Sequence, residues 1–502
     1  MIRTQLLALG AAALFAAPAT AQEATPSPMT QPHDWGALLK QDATAAHAAI
    51  IDSHPGVQDS LNPGFRSQAD AGLAVALERA KTASTAGGWW WALRGFIASF
   101  DDGHVQLGLT DPSWGFPTRW PGFLTAYRGD DAVVATRDES DASTPPVGAR
   151  LLDCDGVSAA DLGAQRIGAF RGRWFLEAQK VSFGDWLFLS AQNPWISEMR
   201  TCRFETGGRA ASYDLTWRPL EGDALRARRT AAGRQPSIDF GFTRLPDGGY
   251  RLAMPSFDGD PSGEAFPALT ALLAEAEAKQ AELRAAPYVV LDLRGNGGGS
   301  SHWSQHIART LWGDDWLSAH GEAPIQGIEW RASQANLDAI RAYLAEWRAA
   351  GVPEEDERMV WGLRIEAGMV AAMAEDKSYW SDMAAPPDVS MAAPEAADPP
   401  LLMQGPVYVI TEAGCGSACL DAVDLWKAAG AVQVGRETSA DTVYMDVRDQ
   451  ALPSGLARMA IPMKVWRGRA RGNNEPQTPA RLFDGDMADD DALMAWIAAL
   501  PR

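Results

Sequence analysis

Apolar residues recur at three- and four-residue spacing from Trp35 to Phe100, through "WGALLKQDATAAHAAIIDSHPGV", "QADAGLAVALERAKTA" and "WWWALRGFIASF". That period places one face of each helix on a core. The pattern stops at "DDGHVQLGL", a polar turn leading into a strand, so a helical bundle is predicted over 35–111. From 112 to 219 the apolar runs shorten to "DDAVVATRD", "GARLLDCDG", "MRTCRFETGG" and "ASYDLTWRPL", bounded by Gly, Asp and Pro. These read as strands of a β domain. From about 237 to 502 strands and helices alternate: "GYRLAMPSF", "AFPALTALLAEAEAKQAELRAA", "YVVLDL", then "HWSQHIARTLWG". The run "PVYVIT", "CLDAVDLWKAAG", "AVQVGRE" predicts a β–α–β unit with a right-handed crossover between parallel strands. An insertion over 314–400 interrupts this α/β domain; it reads as helical and ends in the linker "AAPPDVSMAAPEAADPP". No internal repeat is present.

The first 21 residues break the globular pattern. Arg3, the apolar run "LLALGAAALFAA" and the small residues "ATA" ending at Ala21 form a secretory signal, with cleavage expected between Ala21 and Gln22. The Pro-rich stretch 22–34 is expected to be a flexible lead-in. A secreted or periplasmic chain follows, and no later run of about 18 apolar residues would span a membrane. The formal charge of −20 argues against nucleic acid or an anionic membrane as partner. Cys154, Cys202, Cys415 and Cys419 would meet an oxidising compartment, and their three possible pairings stay open. The spacing of Cys415 and Cys419 has no second Cys/His pair to complete a zinc site, so no metal or cofactor is expected.

Three features carry chemistry. Ser417 lies where a buried strand turns into a helix, and the amides from Ala418 onward favour an anion there. Taken alone it reads as a helix cap before it reads as a nucleophile. In "DLRGNGGGSS", Gly297, Gly298 and Gly299 allow close backbone approach, but the dinucleotide spacing fails and no phosphate-loop lysine follows. His104 is a candidate base, which a serine requires near neutral pH. His302 and His306 stand one turn apart on a helix without the glutamate or third ligand of a metal site.

Together these pieces resemble the S41 serine peptidases, the family of the C-terminal processing proteases and the tricorn core protease. "YVVLDLRGNGGG" and "ITEAGCGSACLDAVDLWKAAGAVQVGRETSA" carry the match, with "GYRLAMPSF", "DSHPGV", "FDDGHVQLGL" and a weaker PDZ-like "VGARLLDCDGVSAADL". The resemblance implies an α/β fold: a crotonase-like catalytic domain, an N-terminal helical bundle and a PDZ-like β domain. It implies Ser417 as nucleophile, with Ala418 and either Gly297 or Gly298 as oxyanion donors. The processing proteases take a lysine as base, but Asp441 stands at that position in "GRETSAD" and Lys464 is out of register. The tricorn type instead implies His104 as base and Glu475, in "GNNEPQTPARLF", as supporting carboxylate, directly or through a neighbour. One departure is Gly103, where that type has a serine before its histidine; Asp101 or Asp102 then becomes the candidate to orient His104.

The reading that results is a secreted serine peptidase acting on peptide or protein substrates, with the insertion as a lid. Its rival is a non-catalytic module of the same fold holding an apolar ligand or peptide, as the interphotoreceptor retinoid-binding proteins do. Twenty tryptophans would suit that rival, although "WWWALRGFI" at helical spacing reads first as core.

Overall fold

A computed structural model describes residues 27–233, 238–261, 263–321, 327–383 and 399–501. The expected signal, its cleavage point and nearly all of the 384–400 linker lie outside the described residues. Helices Trp35–Ser53, Phe65–Ala80 and Ala86–Ala98 form the N-terminal bundle. Asp34 and Thr85 cap the first and third, accepting from Ala37 N–H and Gly88 N–H at 3.0 Å each. The tryptophan run is core: Trp89, Trp90 and Trp91 are all buried. Their polar edges are met inside the protein, Trp89 Nε1 donating to Asp42 at 2.9 Å and Trp91 Nε1 to the Ala191 carbonyl at 2.8 Å. The described end of the lead-in is packed, with a short 3₁₀ turn at Pro28–Thr30 that buries Met29.

Strand Gln106–Leu109 leaves this bundle and pairs antiparallel with Ala457–Arg467, near the other end of the chain. The bundle core accordingly includes Leu452, Leu456, Met459 and Ile461. After it Phe123–Arg128, Asp131–Arg137, Arg150–Cys154, Thr201–Thr206 and Arg209–Asp214 lie in one antiparallel sheet. Cys154 and Cys202 face each other in register and form a disulfide.

Among the described residues, a six-stranded sheet orders Gly241–Arg244, Tyr250–Ala253, Val289–Asp292, Val407–Thr411, Val432–Gly435 and Arg481–Leu482. All neighbours after the first pair are parallel. Val289–Asp292 and Val407–Thr411 are buried at every position, as central parallel strands covered on both faces must be. The insertion is not wholly helical. Its helices Gln334–Ala349 and Glu357–Ala374 are joined by two strands, Gly327–Arg331 and Tyr379–Met383. These extend the Ala457–Arg467 sheet, with Trp330 opposite Trp380 and Lys464. No helix among the described residues is long and apolar enough to cross a membrane.

Candidate active site

The buried strand Val407–Thr411 ends in a tight loop, and Ser417 opens helix Ala418–Ala428. Ser417 has φ 53° and ψ −125°, and its side chain makes no capping hydrogen bond. A helix cap has extended backbone and a bonded oxygen, so capping is not what this serine does. A non-glycine residue at such φ costs roughly 1–2 kcal/mol. The turn that holds it is braced by a disulfide between Cys415 and Cys419, both fully buried.

Ser417 Oγ lies 3.3 Å from His104 Nε2, across 313 residues of sequence. The His104 ring is mostly buried, and its Nδ1 has no hydrogen-bond partner among the described residues. The nearest carboxylate is Asp102, whose Oδ1 accepts from the His104 backbone N–H at 2.8 Å and stands 3.8 Å from Nδ1. Asp102 is buried and held on its far side, accepting from Thr442 Oγ1 at 2.9 Å and facing His54 Nε2 at 3.7 Å. His54 is fully buried, stacked on Phe65, and its Nδ1 accepts from Gly56 N–H at 2.9 Å. The proton of a neutral His54 therefore sits on Nε2, facing Asp102. Burial pushes the His54 pKa below its ordinary value, outweighing the pull of Asp102 and Asp59. Burial also opposes the charge of Asp102, yet the neighbouring His54 and the charge of His104 keep its carboxyl below the usual range. A neutral His54 supporting an ionised Asp102 satisfies both directions.

The glycine loop presses on the serine from the other side. A Cβ on Gly298 would stand 2.7 Å from the Gly416 carbonyl, 2.8 Å from Ser417 Cβ and 3.0 Å from Ala418 N, and Gly298 has φ +104°. The Gly298 N–H is already spent, donating to Asn296 Oδ1 at 2.9 Å. Gly297 N–H and Ala418 N–H have no acceptor among the described residues. Glu412 ties the two loops together, accepting from Gly295 N–H at 3.1 Å and Gly414 N–H at 2.8 Å. Burial raises its pKa, and those two N–H groups oppose the rise.

Glu475 is not in contact with this group. It is exposed and accepts a turn hydrogen bond from Gly472 N–H at 2.8 Å. Its neighbour Asn474 does reach the histidine loop, donating to the Asp101 carbonyl at 2.8 Å. Asp441, at the lysine position of the processing proteases, is buried between Arg469 and Arg471. Lys464 pairs with Asp446 at 2.8 Å. Gly103 packs under Arg173: a Cβ there would stand 2.8 Å from Arg173 Nη1. The space a serine side chain would need is thus filled by a guanidinium. His54, Thr442 and Glu412 were not among the residues the sequence singled out.

A cleft of about 1160 Å³ opens beside the site between the insertion and the α/β domain. It is lined by Ser300, Trp303, Trp361, Asp421 and Trp466 among others, and not by Ser417. The insertion therefore roofs the helix that Ser417 starts, one turn on from the serine.

The sequence matches no protein-family model and no curated protein. The fold does have solved counterparts. The structure is similar to mature CPAF, with a TM-score of 0.56 at 13% identity over 89% of this chain and 93% of that one. It is similar to mature CPAF complexed with lactacystin, with a TM-score of 0.55 at 12% identity over 92% and 98%. At these identities the likeness is one of fold alone, and it runs through most of the chain: the protein has the fold of mature CPAF.

Proposed function

We propose that the protein is a secreted or periplasmic serine peptidase of the Ser–His type, cutting peptide or protein substrates. The observation that carries this reading is the 3.3 Å approach of His104 Nε2 to Ser417 Oγ, on a serine held at positive φ with no capping role. His104 takes the Ser417 proton as Oγ attacks the substrate carbonyl carbon. The oxyanion that forms accepts from Ala418 N–H and Gly297 N–H, the two amides left without acceptors, while Gly298 shapes the turn. His104 then gives its proton to the leaving amine, and water repeats the sequence on the acyl-enzyme. Asp102 stabilises the imidazolium from the Nδ1 side, and the 3.8 Å gap closes by a small rotation when substrate is bound. Glu475 acts at one remove, by fixing the turn from which Asn474 grips the histidine loop.

In this reading the six-stranded sheet is a crotonase-like core and the 112–219 domain is PDZ-like. Two disulfides suit an oxidising compartment after cleavage at Ala21/Gln22. The test is labelling by a fluorophosphonate probe. Label should appear on the wild-type chain, vanish in Ser417→Ala and fall by about 10²-fold or more in His104→Ala. A folded wild-type chain that takes no label, or a Ser417→Ala chain that still does, overturns the proposal.

A further inference from the structure

Beside the histidine loop lies a second cavity, of about 280 Å³, walled by the N-terminal helix Ala86–Ala98, residues 101–107 and the helical segments 169–183 of the β domain. Three arginines line it: Arg94, Arg171 and Arg173. In a chain of net charge −20, three cations in one small cavity call for anions. Arg171 has none. Its guanidinium lies 4.4 Å from the Trp186 ring centre, 4.7 Å from Phe183 and 5.8 Å from Trp91, and it makes no hydrogen bond among the described residues. The carboxylate it feels, Asp185, is ion-paired to Arg229. Arg94 bonds only to carbonyls, those of Phe170 at 3.3 Å and Leu107 at 3.5 Å, and lies over Trp90. Burial, with the neighbouring cations, holds Arg171 well below its ordinary pKa, and burial lowers Arg94 to about 10. The carboxylates in the wall are already engaged. Asp101 accepts from Arg173 N–H at 2.6 Å, and Asp102 serves His104, Thr442 and His54. Gln179, 7% exposed, also faces this cavity, and its Oε1 has no partner.

We infer that this cavity is a carboxylate-binding subsite for the polypeptide that Ser417 acts on, with Arg171 and Arg94 as its cationic anchors. This rests on the peptidase reading. A guanidinium ringed by aromatic faces keeps its planar donor edge free, and two such groups match a carboxylate. Inorganic or macromolecular polyanions fit poorly, because the space is small and the remaining surface carries net negative charge. The carboxylate belongs to an Asp or Glu side chain or to a chain terminus. Gly103 and Asp102 form part of the wall, so a ligand held here lies against the loop that carries His104.

The test reads the pocket without requiring catalysis. Phenylglyoxal modifies unpaired arginines, and mass spectrometry reports the rate at each one. The purified chain is treated alone and with N-acetylglutamate α-amide, with N-acetylglycine, or with N-acetylglutamine amide, each at rising concentration. Modification at Arg171 should slow about tenfold once a carboxylate compound stands tenfold above its dissociation constant, and should not slow with the neutral amide. Protection by the glutamate compound alone assigns a side-chain carboxylate; protection by acetylglycine alone assigns a terminus. Equal rates in all solutions, or equal protection by the glutamine amide, overturn the subsite. Arg171→Gln and Arg94→Gln should each keep fluorophosphonate labelling within about twofold while raising KM for carboxylate-bearing peptides about tenfold or more. Labelling that fails in the wild type counts against the peptidase reading; labelling that holds with unchanged KM in both variants counts against the subsite alone.

Discussion

Gly298→Ala offers the sharpest test of how the turn around Ser417 is built. Its new methyl carbon would lie 2.7 Å from the Gly416 carbonyl, 2.8 Å from Ser417 Cβ and 3.0 Å from Ala418 N. Ordinary contact begins near 3.4 Å, so the turn must yield by about 0.7 Å (3.4 minus 2.7). None of the three atoms is the far end of a flexible side chain. They are the backbone before Ser417, the Cβ of Ser417 itself and a proposed oxyanion donor. Backbone strain at φ +104° adds roughly 1–2 kcal/mol. A displacement of that size at reacting atoms costs about 10²-fold in rate, or about 2.7 kcal/mol. Gly297→Ala is the matched control. A Cβ there meets nothing within 4 Å, its φ is not positive, and the variant keeps its N–H. The second-order rate of fluorophosphonate labelling should fall about 10²-fold in Gly298→Ala and stay within a few fold in Gly297→Ala. Thermal unfolding of both variants separates a bent turn from a lost fold. Equal rates in the two variants would refute the role assigned to Gly298 in shaping the turn.

Further predictions concern the groups around His104. Asp102→Asn should slow labelling by about 10²–10⁴-fold, and Glu475→Gln by less than about tenfold; the reverse ranking, read in the same assay, would return the supporting role to Glu475. His54 is held neutral below the pH at which an unfolded chain would protonate it, so its native pKa is depressed. Stability should therefore fall as pH drops below about 6.5, by up to about 1.4 kcal/mol per pH unit, and His54→Gln should flatten that slope in melts from pH 8 to 5. Asp421 has the opposite sign: burial and then Asp441 raise its pKa to about 6. Its contribution is full below about 4 and is lost as pH rises through 6, at most about 3 kcal/mol in all. Asp421→Asn should remove this pH dependence in melts from pH 4 to 8 and be the more stable at pH 8.

Local features of the site were legible because they depend on neighbours in sequence. A buried apolar strand running into a helix puts Ser417 on a turn, and three glycines after "YVVLDL" announce a close backbone approach. The pairing of Ser417 with His104 was not legible that way. No period or spacing links positions 313 residues apart, and only the family resemblance joined them. The strands Gly327–Arg331 and Tyr379–Met383 were hidden inside helical surroundings, because their partner lies on the distant Ala457–Arg467. Glu475 is at the expected place in sequence, but its carboxylate turns to the adjacent Gly472 instead of the imidazole. His54 went unmarked because a buried histidine stacked on Phe65 looks, in sequence, like any other helix-end residue. Nothing in the sequence around Gly103 signals that the distant Arg173 fills the space beside it.

The antiparallel zip between Gln106–Leu109 and Ala457–Arg467 also has a consequence in time. A ribosome adding about 5–20 residues per second exposes His104 roughly 15–60 s before Ser417. The strand that clamps the histidine loop in place emerges later still. Until that last clamp closes, His104 and Ser417 belong to separately wandering lengths of polymer and do not meet. On the peptidase reading proposed above, hydrolytic power arrives only as the final act of assembly, and completeness of the fold is itself the safety catch.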